Sequence, residues 1–195
     1  MEVFFTSDLH FQHQRGFLYE PRGFHSIEEH DEAIVDRWNN VVRPQDTVYI
    51  LGDVMLNNND KGIELLNRLN GEFWFIRGNH DTDERVRRIR EECKNIYHPL
   101  ENVDSFMPYA YLKKINGYKF YMSHYPTFTS NLENMAPLKH HTINLFGHIH
   151  QKARFYNDVP FMYNVSMDAH NCTPVHFDEV ISDINAKVDE CLEML

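Results

Sequence analysis

Nine side chains able to bind metal or move protons stand in five short clusters along the chain. They are Asp8 and His10; Asp53; Asn79, His80 and Asp81; His124; and His148 and His150. All offer oxygen or nitrogen, and none is a thiolate. Such a set suits Zn, Mn, Fe, Ni or Co better than Cu(I) or an iron–sulfur cluster. One catalytic metal takes about three protein ligands plus water. Seven or more donors therefore point to two metals sharing a bridging carboxylate, roughly 3.5–4 Å apart. Such a pair lowers the pKa of a bound water and clamps both attacking and leaving oxygens, as in-line attack on phosphorus requires. Gly52, Gly78 and Gly147 stand in the same clusters and let the backbone turn sharply and come close to metal or substrate.

Each cluster directly follows an apolar run. The runs are Val3-Phe4-Phe5, Val48-Tyr49-Ile50-Leu51, Phe73-Trp74-Phe75-Ile76, Phe120-Tyr121-Met122 and Ile143-Asn144-Leu145-Phe146. Short runs rich in β-branched and aromatic residues, ended by glycine or polar residues, read as buried strands. Ligands at strand exits are how an α/β sheet commonly builds a site. Helical patterns separate the early strands. Ser26-Ile27-Glu28-Glu29 fits a capping box, followed by His30, Ile34, Trp38 and Val41 at helical spacing. Ile63, Leu66 and Leu69 mark a shorter helix, and Val86, Ile89 and Cys93 a third beginning near Thr82. The order βαβαβα implies parallel strands with right-handed crossovers. Later, Asn116-Gly117 between strand-like stretches 109–115 and 118–122 signals a hairpin. Further strand-like pieces near 153–156, 161–165 and 174–177 suggest a second, more antiparallel sheet. A last stripe of Ile181, Ile184, Val188, Cys191 and Leu195 reads as a C-terminal helix. The expectation is one domain over residues 1–195. Its fold is a four-layer α/β/β/α sandwich, with two mixed sheets flanked by helices and the dimetal site at the strand C-terminal ends.

At 195 residues, 42% hydrophobic and 25% charged, the chain can bury a real core without staples. Its 3 cysteines form no C-x-x-C pair, which argues against a disulfide framework or a cysteine zinc site. No run approaches 18 apolar residues, and the start lacks the basic and apolar regions of a signal peptide, so a reducing cytoplasm is the expected compartment. A net charge of −10 argues against tight binding of long duplex nucleic acid. Bound divalent cations would reverse the local field at one face and let a small anion approach.

The ordered series Asp8-Leu9-His10, Gly52-Asp53, Gly78-Asn79-His80-Asp81, His124 and Gly147-His148-Ile149-His150 resembles the full signature of the calcineurin-like metallophosphoesterases. Residues 6–13, Arg22-Gly23-Phe24, Trp38-Asn39 and Asn164-Val165-Ser166-Met167-Asp168 are similar to its small single-domain members from bacteria and phages. Gln12 departs from the pattern, which tends to have glycine there. The resemblance implies that Asp8, His10 and His150 hold one metal and that Asn79, His124 and His148 hold the other. Asp53 bridges them, a metal-bridging hydroxide is the nucleophile, and His80 contacts phosphate and protonates the leaving oxygen. Mn is the favoured metal.

Beside this core, Asp81 is suited either to orient His80 or to cap the next helix, and Arg77 either to bind phosphate oxygens or to make a structural ion pair. Asp168 and His170 are candidates for supporting the ligands, and His13 for reaching substrate. His140 and His141 read as surface residues, and the arginines of 85–90 as a solvated helix face. The expected activity is hydrolysis of a small phosphodiester of nucleotide type. The small chain leaves little room for a cap, so the centre should be open. Phosphomonoester or phosphoprotein hydrolysis is the alternative, and a non-catalytic scaffold on the same fold is a third reading. Oligomeric state is left open.

Overall fold

The computed structural model describes residues 1–96, 107–129 and 140–193. Its elements run β1 (Val3–Thr6), α1 (Gly16–Tyr19), α2 (Ile27–Val41), β2 (Thr47–Ile50), α3 (Asn59–Leu66), β3 (Glu72–Phe75) and α4 (Asp83–Glu92). They continue with β4 (Ala110–Ile115), β5 (Tyr118–Ser123), β6 (Thr142–Phe146), β7 (Met162–Asn164), β8 (Val175–His176) and α5 (Phe177–Glu193). Two four-stranded sheets result, in the orders β3-β2-β1-β8 and β4-β5-β6-β7.

In the first sheet β1, β2 and β3 are parallel, as the βαβαβα order requires, and β8 joins the edge antiparallel to β1. Its strands are buried on both faces, with a period of two. Phe4, Val48, Ile50, Phe73 and Phe75 pack with Ile34, Val35 and Trp38 of α2, Ile63, Leu65 and Leu66 of α3 and Ile89 of α4. Phe5, Tyr49 and Ile76 point the other way, into a core shared with Phe120, Met122, Ile143, Leu145 and Tyr163 of the second sheet. Phe177, Val180 and Ile184 of α5 join that inter-sheet core.

The second sheet is mixed: β4 and β5 are antiparallel, but β5–β6 and β6–β7 are parallel. The more antiparallel reading is corrected here. The Asn116-Gly117 turn does form the expected hairpin, both residues having positive φ (47° and 90°). The later connections are long enough to cross over and return parallel. Residues 153–156 are not a strand. Phe155 makes one isolated bridge to Tyr163, and a 3₁₀ turn follows at Tyr156–Asp158. The 174–177 stretch shrinks to a two-residue strand, and its Phe177 begins α5.

Local signals account for the helix starts. Ser26 accepts from Glu29 N (3.1 Å), while the Glu29 carboxylate reaches back to His25 N (2.7 Å). Asn58 and Thr82 cap α3 and α4 in the same way. Val41, expected inside, is exposed at the end of α2, and Val42 is buried in its place. His141, expected at the surface, is buried and stacked on Phe161 with ring centroids 3.9 Å apart. Leu195 lies outside the described residues.

His170 shows how burial couples this fold to pH. Its Nε2–H donates to Asn164 O at 2.8 Å, and burial pulls its pKa down to about 4. The folded chain thus refuses a proton that the unfolded chain accepts near pH 6.5. This contribution is complete above about pH 6.5 and is lost as pH falls toward 4, by up to roughly 3 kcal/mol. A His170→Gln variant, which keeps a donor but cannot titrate, is expected to lose less stability than the parent over this window. Denaturant unfolding at stepped pH measures it, and equal acid slopes would refute the role.

Candidate metal centre

Backbone hydrogen bonds zip the strand-exit loops to one another. Leu51 N donates to Thr6 O, Asp8 N to Gly52 O and His10 N to Asp53 O, fixing the loop after β1 beside the loop after β2. Ile76 N donates to Ile50 O, and Gly147 N to His124 O. The two sheets are joined where Ser7 bridges Ser166 and Met167 N donates to Ser7 O (3.1 Å). Glycine is required where these loops touch: a Cβ on Gly78 would collide with Asp53, and one on Gly147 with Ser7 and Asp8.

The chain also turns through left-handed backbone at five of the seven expected ligands. φ is 60° at Asp8, 52° at His10, 55° at Asp53, 70° at His148 and 48° at His150. Each such residue costs about 1–2 kcal/mol in a non-glycine position. Strain of this kind persists only where surrounding contacts over-determine it, and it clusters at functional sites.

Both carboxylates are fully buried, and each is held by one oxygen. Asp8 Oδ2 accepts from Ser7 Oγ (2.6 Å) and His148 N (2.9 Å). Its Oδ1 has no hydrogen-bond partner and lies 3.7 Å from both His10 Nε2 and His150 Nε2. Asp53 Oδ1 accepts from His80 N (2.9 Å), and its Oδ2 lies 3.6 Å from His10 Nε2 and 3.4 Å from His124 Nε2.

The imidazoles are aimed by their far nitrogens. His124 Nδ1 bonds Leu51 O (2.8 Å) and His150 Nδ1 bonds Asp168 (2.9 Å), so each turns Nε2 inward. Asn79 Oδ1 lies 2.9 Å from both His124 Nε2 and His148 Nδ1. All seven expected ligands are therefore brought together. Two groups, Asp8/His10/His150 and Asp8/Asp53/His124, each have donor atoms within 4.8 Å of one another and could hold a metal ion. A buried carboxylate oxygen with no partner is costly unless a cation or proton meets it, so the donor set fits a divalent metal.

A protein-family model, the calcineurin-like phosphoesterase superfamily domain, matches residues 1–165. The chain belongs to that superfamily. Its members generally bind divalent metals. Over 184 residues the chain is 34% identical to the uncharacterized protein MJ1445 of Methanocaldococcus jannaschii, covering 92% of this chain and 89% of that protein. Over 199 residues it is 29% identical to the gene 66 protein of Mycobacterium phage D29, covering 94% and 96%. In fold it is similar to a protein of unknown function, AQ665, from Aquifex aeolicus. That match has a TM-score of 0.66 at 22% identity and covers 93% of this chain and 98% of the other. No helix among the described residues is long and apolar enough to cross a membrane.

The electrostatics follow from burial against pairing. Burial opposes charge on His124, but Asp53 and Asp8 outweigh it and push its pKa up to about 9. Burial likewise opposes ionisation of Asp53, yet His124 and the His80 N–H hold its carboxyl below the ordinary value. Burial, then the neighbouring His150, pulls His10 well down, which keeps it neutral. Neutral imidazole and ionised carboxylate are the forms that bind metal, so His10 and Asp53 are already suited to a cation, whereas His124 would give up its proton as one binds.

Two expected catalytic residues are otherwise engaged. Asp81 neither contacts the His80 ring nor caps α4, whose cap is Thr82. Instead its buried carboxylate accepts from the backbone N–H groups of Asp53 (2.8 Å), Val54 (3.2 Å) and Gly78 (2.8 Å), tying two ligand loops together. Arg77 donates to Asp81 O (2.8 Å) and pairs with Asp83 (2.5 Å), so its guanidinium braces the same loop. Arg85, read as part of a solvated face, in fact donates to His80 O and to Asn59 (3.0 Å). Gln12, the departure from the family pattern, turns its side chain and N–H to the buried Asp31 (2.8 and 3.0 Å).

Arg22, in the Arg22-Gly23-Phe24 stretch, supports the centre from behind. Its buried guanidinium donates to Asp8 O (2.9 Å), to Leu9 O (3.4 Å) and to both oxygens of Asp168 (3.1 and 2.7 Å), and it contacts His30 (2.9 Å). Asp168 in turn holds His150. Ligand loops from the two sheets are thus coupled through one buried ion pair. Groups that orient a ligating histidine typically contribute about 10–100-fold to metal affinity. Asp168→Asn is therefore expected to weaken Mn²⁺ binding by about that factor in a calorimetric titration. Unaltered affinity would leave Asp168 as a structural partner of Arg22 alone.

Proposed function

We propose that the protein is a dimetal phosphoesterase acting on small phosphodiesters of nucleotide type. The observation that carries the reading is the partnerless Asp8 Oδ1 at the convergence of Asp53, His10, His124, His150, Asn79 and His148. Asp8, His10 and His150 would hold one cation and Asn79, His124 and His148 the other, with Asp53, whose Oδ2 lies 3.6 Å from His10 Nε2 and 3.4 Å from His124 Nε2, as the shared ligand. Divalent cations there supply a water of lowered pKa and stabilise charge on the phosphoryl oxygens. The donor set accepts Mn, Fe, Ni, Co or Zn, with Mn favoured.

His80 stands at the rim, its ring 5.6 Å from that of His10 and its backbone N–H fixed on Asp53. From there it contacts the phosphate and delivers a proton to the leaving oxygen. Asp81, Arg77 and Arg85 act on it at one remove, by holding its loop.

The preference for a diester has an electrostatic basis. Three arginines that touch the centre's loops are committed elsewhere: Arg22 to Asp168, Arg77 to Asp83, and Arg85 to His80 O and Asn59. The second negative charge of a monoester would find none of these guanidinium groups free, whereas a diester carries one charge only.

Metal-stripped protein reloaded with Mn²⁺ is given bis-p-nitrophenyl phosphate and p-nitrophenyl phosphate in parallel. The expected result is preference for the diester. On a diester with a poor alkoxide leaving group, His80→Gln is expected to lower kcat by about 10²–10⁴-fold with metal content unchanged, as for loss of a general acid, and on the p-nitrophenyl diester, whose leaving anion needs no proton, by much less. Preference for the monoester would move the assignment to a phosphomonoesterase. Bound metal with no turnover of either ester would overturn the enzymatic reading in favour of a scaffold.

A further inference from the structure

A cavity of about 330 Å³ opens beside the centre, lined on one side by His10, His80, His150 and Asp168 and on the other by His13, Phe17, Leu18 and Pro21. Its two walls differ in chemistry. The inner wall carries the candidate ligands His10 and His150, the rim residue His80, and Asp168, whose oxygens are taken up by Arg22 and His150. The outer wall is apolar apart from His13, and its Phe17 is 73% exposed.

The outer wall is built to hold its shape. Leu18 N donates to Arg15 O, Glu20 N to Gly16 O, Gly23 N to Glu20 O and Phe24 N to Tyr19 O. Leu18 is buried, and Arg22, next to Pro21, is anchored on Asp168. A run of aromatic edges leads inward from this wall. The Phe17 ring meets His13 at 5.4 Å, His13 meets His10 at 5.4 Å, and His10 meets His80 at 5.6 Å. His80, placed above as the proton donor to the leaving oxygen, lines the cavity, so the ester group next to that oxygen enters this space.

We infer that the cavity formed by His13, Phe17, Leu18 and Pro21 is a subsite for a flat aromatic ring carried by the phosphate ester, seated against Phe17. The inference rests on the phosphoesterase reading and narrows its substrate class. Size agrees: an apolar cavity of about 150 Å³ already accepts benzene, so 330 Å³ leaves room for one ring system and the phosphate linking it to the metals. Chemistry agrees as well, because an amphiphilic cavity matches an anion bonded to an apolar ring. A nucleobase belongs to this class, and its stacking on an aromatic side chain is tolerant of base identity.

The test uses non-hydrolysable probes that share one anionic head. Phenylphosphonate and methylphosphonate are titrated calorimetrically into the Mn²⁺-loaded protein and into its Phe17→Ala and Phe17→Trp variants. Phe17 is exposed, so neither change removes a core contact. The parent is expected to bind phenylphosphonate about 10-fold more tightly than methylphosphonate, a ratio in keeping with one stacked ring. Phe17→Ala should bring the ratio near one, and Phe17→Trp should keep it. Equal affinities in the parent, or a preference that survives Phe17→Ala, would overturn the subsite while leaving the phosphate site intact. Failure of the metal-loaded protein to bind either phosphonate would overturn both readings together.

Discussion

Two carboxylates buried side by side at the ends of parallel strands set the terms for the rest of this protein. Asp8 and Asp53 are taken out of water, where an uncompensated negative charge is costly. Each is half satisfied by the fold: Asp8 through Ser7 Oγ and His148 N, Asp53 through His80 N. The remaining oxygens are turned toward a shared space ringed by imidazoles. Pinning one oxygen and freeing the other gives each carboxylate a direction as well as a charge. The orphaned oxygen of Asp8 is the part of this balance that the polypeptide does not close by itself.

The scaffold exists to keep that arrangement rigid against its own strain. Five ligand positions use left-handed backbone, which would relax if the loops were free. They are not free. Each loop donates or accepts backbone hydrogen bonds with a neighbour, and buried glycines allow the contact. A supporting shell then locks the loops from behind, Asp81 on one side and the Arg22–Asp168 pair on the other. Sites held in this manner keep ligand geometry within the narrow tolerance that metal chemistry needs.

The same economy shapes the substrate side. Arginines close to the centre are used for support, which on the proposed reading would leave bound cations and His80 to meet a phosphate. Beyond them the surface turns apolar at Phe17, Leu18 and Pro21. A net charge of −10 over the whole chain is compatible with a centre suited to a small anion, because cations held by the candidate ligands would dominate the local field.

Much of this was legible in the sequence because it is written over short distances. Short continuous apolar runs specify strands buried on both faces, and Ser26 with Glu29 or Asn116-Gly117 mark a helix start and a hairpin within four residues. The seven candidate ligands were visible too, since each stands in a loop that follows a strand. Pairings between distant residues were not legible. Whether β6 lies parallel to β5, which oxygen of Asp8 stays free, and that Arg22 reaches across 146 positions to Asp168 depend on how strands stack. Asp81 and Arg77 make the same point at short range. Sequence proximity to His80 suggested chemistry, but the loop bends both toward backbone groups and Asp83, which leaves them to hold the loop. Residue type and spacing determined which groups could bind metal. Only the tertiary structure decided which atoms face the centre, because the direction of a side chain is set by partners that the chain brings from elsewhere.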